Sequence, residues 1–326
     1  MRATYGRGVS ARSIALGSIA ALAGLAAVNQ QNALEAQRKY PPRGEFLRVR
    51  GIRLHMLGTG GAGPAVVLLH GNGATLADME ISGLVARAGL RRRVIAFDRP
   101  GFGYSERPRG TVWTPAAQAQ LLADALQRMR IDETVVVGHS WGSMVALALA
   151  LDHPRLVTGL VLVSGYYFPT PRMDTALFAP PAIPVVGDVL RYTIAPLIGP
   201  LIKNRMIRKL FSPQSVPSRF AAQYPTDLSL RPAQIRAASE ESALMVPSVT
   251  AAARRYKELS MPVSIMAGTA DQISDPYRQS ARLHEAIAHS RLILLPGVGH
   301  MVHHVAPAEV IDAIEAVGKR PGLPPL

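Results

Sequence analysis

The sequence predicts an α/β fold: a mostly parallel sheet flanked by helices on both faces. Two observations carry that expectation. Six short, nearly continuous apolar runs, at residues 65–69, 94–97, 134–137, 160–163, 263–267 and 292–295, recur along the chain, several with helical patterns between them. Strands buried on both faces have this composition, whereas a half-exposed strand alternates. The second observation is the stretch 134–142, TVVVGHSWG, which leads directly into the small, apolar, helix-compatible run 143–151. Strand, sharp turn and helix follow one another without a linker. Ahead of the first run, residues 46–57, FLRVRGIRLHML, alternate apolar and polar around Gly51, as an antiparallel hairpin does.

Composition bounds the rest. A chain of 326 residues with 48% apolar content can bury one large core carrying an insertion. There is no Cys, so disulfides, thiolate metal sites and a Cys nucleophile are excluded. The net charge is +14, and 31 of the 36 basic residues are Arg. These are scattered rather than interleaved with aromatics, which make up only 6% of the chain, so no nucleic-acid partner is expected. Arg92, Arg93 and the run 203–209 read as solvated faces, with lipid-headgroup contact as a second role for the run.

The N-terminus carries Arg2, Arg7 and Arg12 ahead of the uncharged run 13–28, SIALGSIAALAGLAAV. A basic flank followed by an apolar run is the pattern of a signal peptide or membrane anchor, although this one is shorter than the roughly 20 residues of a full span. Ala21-Leu22-Ala23 offers a cleavage site, and a retained anchor is the alternative. A retained anchor would keep the basic flank in the cytoplasm, and the catalytic domain is expected to be exported or anchored outside the cytoplasmic membrane. A polar linker is expected over 29–44, ending at Tyr40-Pro41-Pro42, so that residues 1–45 form the signal or anchor plus linker and 46–326 the folded domain.

The turns that follow the strand runs carry the chemistry. In Gly138-His139-Ser140-Trp141-Gly142 the glycines flanking Ser140 allow a strained strand-to-helix turn that holds the hydroxyl out of the sheet. Backbone N–H groups at Asn72, in His70-Gly71-Asn72-Gly73, and at Trp141 are the candidate oxyanion donors. A Ser nucleophile needs a His base, and the base needs a carboxylate on its second nitrogen. Asp271 follows the run 263–267, and His300 follows the run 292–295 in a Gly-rich turn. Asp275 is the rival acid, though its position before Pro276 suits helix capping. His303 and His304 are rival bases, and the HxxHH spacing also raises a metal site, but the Gly-rich turn favours His300. Asp98 and Arg99 read as structural parts of a loop near the site, and His70, His139, His153 and His284 as packing, turn or surface residues.

With these motifs in hand, HGNG at 70–73, DRPGFGYSERP at 98–108, GHSWG at 138–142, GTADQI at 268–273 and GVGH at 297–300, the chain resembles the α/β-hydrolase fold superfamily over 46–316. The resemblance implies Ser140 as nucleophile, His300 as base, Asp271 as acid and oxyanion donors at Asn72 and Trp141. It also implies that the segment of about 165–250 is an inserted helical cap, whose aliphatic stretch 182–202 is expected to line an apolar acyl or alcohol pocket. Branches with an Asp nucleophile, the haloalkane dehalogenases and epoxide hydrolases, are disfavoured by Ser140. The expected activity is that of a carboxylic ester hydrolase (carboxylesterase or lipase-like) on a small apolar ester, with no metal or organic cofactor. An acyltransferase, perhydrolase or C–C bond hydrolase, or a non-catalytic binding protein of the same fold, is the alternative.

Overall fold

A computed structural model describes residues 10–61, 63–171 and 178–319. Its centre is an eight-stranded sheet in the order β1-β2-β4-β3-β5-β6-β7-β8. The hairpin expected around Gly51 is β1 (Glu45–Val49) paired antiparallel with β2 (Ile52–Gly58). Arg50 and Gly51 turn it with φ of 49° and 79°. Each of the six apolar runs is a strand: β3 (Ala65–Leu69), β4 (Arg93–Phe97), β5 (Thr134–His139), β6 (Val157–Val163), β7 (Val263–Gly268) and β8 (Arg291–Leu295). All six run parallel, and β2 joins them antiparallel along β4.

The alternation of side chains explains why these strands read as continuous runs. On β3, Ala65, Val67 and Leu69 enter the core on one face while Val66 and Leu68 enter the core on the other. The first face is covered by α4 (Pro115–Arg128) and α5 (Trp141–Asp152) through Leu122, Val145 and Leu149. The second is covered by α2 (Leu76–Ile81), α3 (Leu84–Gly89) and α12 (Pro307–Val317) through Leu76, Leu84 and Ile314. Each side chain so enclosed is worth about 1.5–3 kcal/mol over its exposed state, which is why both faces can be apolar.

Between β6 and β7 lies the cap, with α6 (Val186–Tyr192), α7 (Ala195–Phe211), α8 (Ser218–Gln223) and α9 (Pro232–Ala252), and α10 (Arg282–Ala286) and α11 (Val302–Val305) precede α12 in the chain. The expectation of a pocket lining is corrected over most of 182–202. Ala182 and Ile183 border a shallow hollow with Ala243, but Val185, Val189, Leu197 and Leu201 are exposed, while Arg191 is buried.

The polar linker expected at 29–44 is also corrected, because α1 (Ala11–Lys39) runs without a break through most of it. Residues 29–39, NQQNALEAQRK, are mostly good helix formers, and the helix ends at Tyr40, just before the two prolines. Asn29, Ala33 and Ala36 share one face and are buried, and Asn29 Nδ2 donates to the carbonyl of Arg191 at 3.0 Å. Upstream of Leu25 the helix is exposed on all sides.

Arg92 departs from its expected solvated role. It is 6% exposed and donates twice to Glu315, at 2.9 and 2.8 Å, tying the start of β4 to α12.

Candidate active site

Ser140 sits at φ 52° and ψ −120°, between the end of β5 and the first residue of α5. A non-Gly residue there is strained, and the neighbours show why this backbone persists. A Cβ on Gly138 would lie 2.6 Å from the carbonyl oxygen of Gly142, and one on Gly142 would lie 2.6 Å from that of His70. Both positions are closed to any side chain. Ser140 N–H donates to the Val163 carbonyl at 2.9 Å, which anchors the turn to β6. Gly71 presses against the turn from the neighbouring loop, since a Cβ there would stand 3.1 Å from Ser140 Cβ.

The loops after β7 and β8 bring Asp271 and His300 together. His300 Nδ1–H donates to Asp271 Oδ2 at 2.8 Å, and both side chains are almost fully buried. The other carboxylate oxygen of Asp271 accepts the backbone N–H groups of Ile273, at 2.7 Å, and Ser274, at 3.0 Å, so the acid is fixed in orientation. Its bond to Nδ1 leaves Nε2 of His300 as the nitrogen that can accept a proton. Among the described residues no hydrogen bond joins Ser140 Oγ to His300. The elbow meets the His300 loop one residue earlier: His139 Nε2–H donates to the His300 carbonyl at 3.2 Å, with ring centroids 4.9 Å apart. The rival acid Asp275 caps a helical turn, accepting the N–H groups of Tyr277 and Arg278.

The HGNG loop is held by a residue the motif itself does not contain. Arg99, fully buried, donates from Nε to the His70 carbonyl at 2.8 Å and from Nη2 to the Gly71 carbonyl at 3.0 Å. Its charge is balanced by Glu241 of α9, also fully buried, which in turn accepts from Gln118 at 2.9 Å. The cap helix is therefore bonded to the loop that carries Asn72. Asn72 Nδ2 donates to the Ala238 carbonyl at 3.0 Å, and Trp141 Nε1 to the Glu241 carbonyl at 3.2 Å, both on α9. The side chains of Asn72 and Trp141 thus face the cap. Their backbone N–H groups have no acceptor among the described residues.

Sequence reasoning read Arg99 as structural and did not find Glu241 or Gln118. A Glu in the polar cap segment RPAQIRAASEESALM carries no local mark of burial.

The remaining imidazoles form a second buried group. Asp78 of α2 accepts from His303 Nε2 at 2.9 Å and from His304 Nε2 at 2.8 Å, so the Nε2 of each rival base is engaged by a carboxylate. Burial alone would raise the Asp78 carboxyl, but the two imidazoles hold it well below the usual carboxylate range. Asp78, His139 and His303 bring donor atoms within 4.8 Å of one another, a cluster that takes in only His303 of the HxxHH residues. Burial, followed by His303 and His300, keeps the His139 imidazole well below the ordinary range. Burial and the Arg99 guanidinium push His70 down to about 3, so it is neutral and its Nε2 accepts the Arg99 N–H at 3.0 Å.

Residues 64–307 match the family model of the alpha/beta hydrolase fold. The chain belongs to the α/β-hydrolase family. This α/β-hydrolase is 30% identical over 285 residues to an uncharacterized protein of Mycobacterium tuberculosis, a match covering 84% of the chain and 81% of the relative. It is 35% identical over 146 residues, 44% of the chain and 52% of the relative, to a 2-hydroxymuconate semialdehyde hydrolase of Pseudomonas putida. In fold it is similar to a membrane phospholipase A, with a TM-score of 0.63 and 20% identity over 94% of each chain.

Proposed function

We propose that this α/β-hydrolase is a Ser-dependent carboxylic ester hydrolase. Ser140 Oγ attacks the ester carbonyl while His300 Nε2 takes its proton, and Asp271 stabilises the imidazolium that forms. The carbonyl oxygen, now carrying charge, is received by the N–H groups of Asn72 and Trp141, each worth about 3–4 kcal/mol at the transition state. His300 then returns the proton to the leaving alcohol. Water, deprotonated by the same imidazole, cleaves the acyl-enzyme. The contact between Ser140 and His300 forms with substrate in place, as catalytic hydrogen bonds often do.

The observation that carries the reading is the buried Asp271–His300 hydrogen bond at 2.8 Å beside a Ser held at φ 52°. The test is covalent labelling with a fluorophosphonate, followed by mass analysis of the labelled peptide and turnover of p-nitrophenyl esters. Label on the peptide containing Ser140, lost in Ser140→Ala, is the expected result. A folded Ser140→Ala protein with near-native turnover would refute the mechanism.

A second reading, C–C bond hydrolysis, has one specific support: the similarity to the Pseudomonas putida hydrolase. Loss of 2-hydroxymuconate semialdehyde faster than loss of any simple ester would favour it. For location, we propose that α1 holds the chain at the cytoplasmic membrane with the hydrolase domain outside. The support is its segment 12–39, which is long and apolar enough to cross a bilayer and whose most apolar window is almost unburied. A fusion of residues 1–45 to a reporter active only outside the cytoplasm tests this, and an inactive reporter would refute it.

A further inference from the structure

The cap is built inside out. In α7 the side chains of Leu197, Ile198, Leu201, Ile202 and Met206 recur at helical spacing on one face, and all five are exposed, Leu201 by 79%. The opposite face, toward the protein, carries Gly199, Lys203 and Ile207. There Lys203 pairs with Asp227 at 3.2 Å. The same inversion holds in α6, where Val186 and Val189 point outward and Arg191 is buried. A helix folding in water places its apolar stripe toward the core.

The large apolar side chains that the described structure leaves uncovered gather in two places, the cap stretch 183–206 and α1. Ten lie between residues 183 and 206 and six on α1, against four elsewhere. An apolar patch of this extent marks an interface with protein or lipid.

Two observations choose lipid. The first is continuity. Val28 is the last residue of the exposed apolar part of α1, and the next, Asn29, bonds the carbonyls of Arg191 and Tyr192 at the end of α6. The level at which α1 changes from apolar to polar is therefore also the level at which it meets the inverted helices. The second is charge. Arg205, Arg208 and Lys209 lie exposed on α7 with no acidic partner among the described residues. They suit the anionic headgroup layer, whereas two copies of a chain of net charge +14 would bring them against their own kind.

We propose that the outward faces of α6 and α7 are a monotopic membrane contact, seated in the bilayer beside α1, so that the cap lies on lipid rather than under water. The inference rests on the anchoring role of α1 and is separable from it by experiment. The chain has no Cys, so single labels can be introduced freely. Full-length Leu197→Cys, Leu201→Cys, Ile19→Cys and Leu90→Cys variants carry an environment-sensitive fluorophore and are reconstituted in phosphatidylcholine/phosphatidylglycerol vesicles with or without doxyl-labelled lipid. Positions 197 and 201 are expected to shift to the blue and lose at least half their emission to the doxyl lipid. Position 90, exposed in α3's C-cap outside both the cap and α1, is expected to do neither.

If 197 and 201 behave like 90 while 19 is quenched, the cap contact is wrong and the anchor stands. If 197 and 201 are quenched and 19 is not, the cap contact stands and the anchor fails. Quenching at none of the three refutes both. Labels at 197 and 201 that are shielded from aqueous iodide but not quenched by lipid would identify a second copy as the occupant and overturn the proposal.

Discussion

Removing Glu241 should disable the site without touching any residue proposed to react. Glu241 and Arg99 are both fully buried, and Glu241 provides the carboxylate facing the Arg99 guanidinium. In Glu241→Ala that guanidinium keeps its bonds to the carbonyls of His70 and Gly71 and to Gln118 but loses its counter-charge. Stripping one partner from a buried pair costs about 3–5 kcal/mol, because the other charge stays desolvated and unpaired. A loss of that size is measurable as a shift in the urea midpoint of the detergent-solubilised chain.

Below the unfolding transition a second effect is expected. Arg99 sets the HGNG loop through two carbonyls, and α9 meets the same loop at Asn72, so kcat on an ester should fall with little change in KM as the Asn72 N–H loses its aim. The double variant Arg99→Met/Glu241→Ala, which removes both charges of the pair, should recover part of the stability but none of the activity. A Glu241→Ala loss under 1 kcal/mol with unchanged kcat would refute the reasoning, since the pair would then be neither buried in effect nor coupled to the loop.

Other outcomes follow from the same geometry. Gly142→Ala should fail to accumulate as soluble protein, because its Cβ would stand 2.6 Å from the His70 carbonyl oxygen with backbone on both sides. Gly71→Ala, where the contacts are 3.1 Å to Ser140 Cβ and 3.2 Å to His139 Nδ1, should fold but lose about tenfold or more in kcat through displacement of the elbow, as steady-state kinetics will show. Stability should fall with acidity. His70 ionises at about 3 in the fold against ~6.5 when unfolded, so the unfolded chain binds the extra proton between those values. The contribution is whole above pH 6.5 and is lost at about 1.4 kcal/mol per pH unit below it, with His139 and His303 acting in the same direction. Urea midpoints at pH 7, 6 and 5 measure the slope, and a level midpoint would refute it. Asp271→Asn should keep the fold but lower kcat strongly, since the amide cannot stabilise the imidazolium.

The sheet was legible because strands buried on both faces leave short unbroken apolar runs, and the elbow because its glycines are demanded by contacts that tolerate no Cβ. Asp271 and His300, which the structure pairs, were singled out by their position after strands, a topological rule that needs no contact information. What escaped was set by partners distant in sequence. Arg99 meets Glu241 across 142 residues, and nothing within either segment announces the other. Arg92 looked solvated in a run of three arginines until Glu315, 223 residues away, enclosed it. Residues 29–39 looked like a linker because they are polar, yet polar residues with long unbranched side chains make good helix when Asn29, Ala33 and Ala36 find a surface. In 182–202 the aliphatic composition did not reveal which way the side chains face, and most of them are exposed. An aliphatic side chain that lines a pocket and one that faces a bilayer obey the same transfer energy.

That ambiguity bears on how the cap relates to the chemistry. Helix α9 bonds the Asn72 side chain through Ala238 and Ser242, receives Arg99 at Glu241 and the Trp141 indole at the Glu241 carbonyl, and touches α6. One rigid element therefore touches both proposed oxyanion positions and the helix whose outer face is bare aliphatic. A surface that fixes α6 also fixes the far side of α9, and through it the loop whose N–H groups must meet a substrate oxygen. In an α/β-hydrolase whose cap floated free in water, the buried Arg99–Glu241 pair would have to hold that geometry unaided. On the proposed membrane contact, the inverted faces of α6 and α7 would supply a second constraint from outside, opposite the buried charge pair on the same cap.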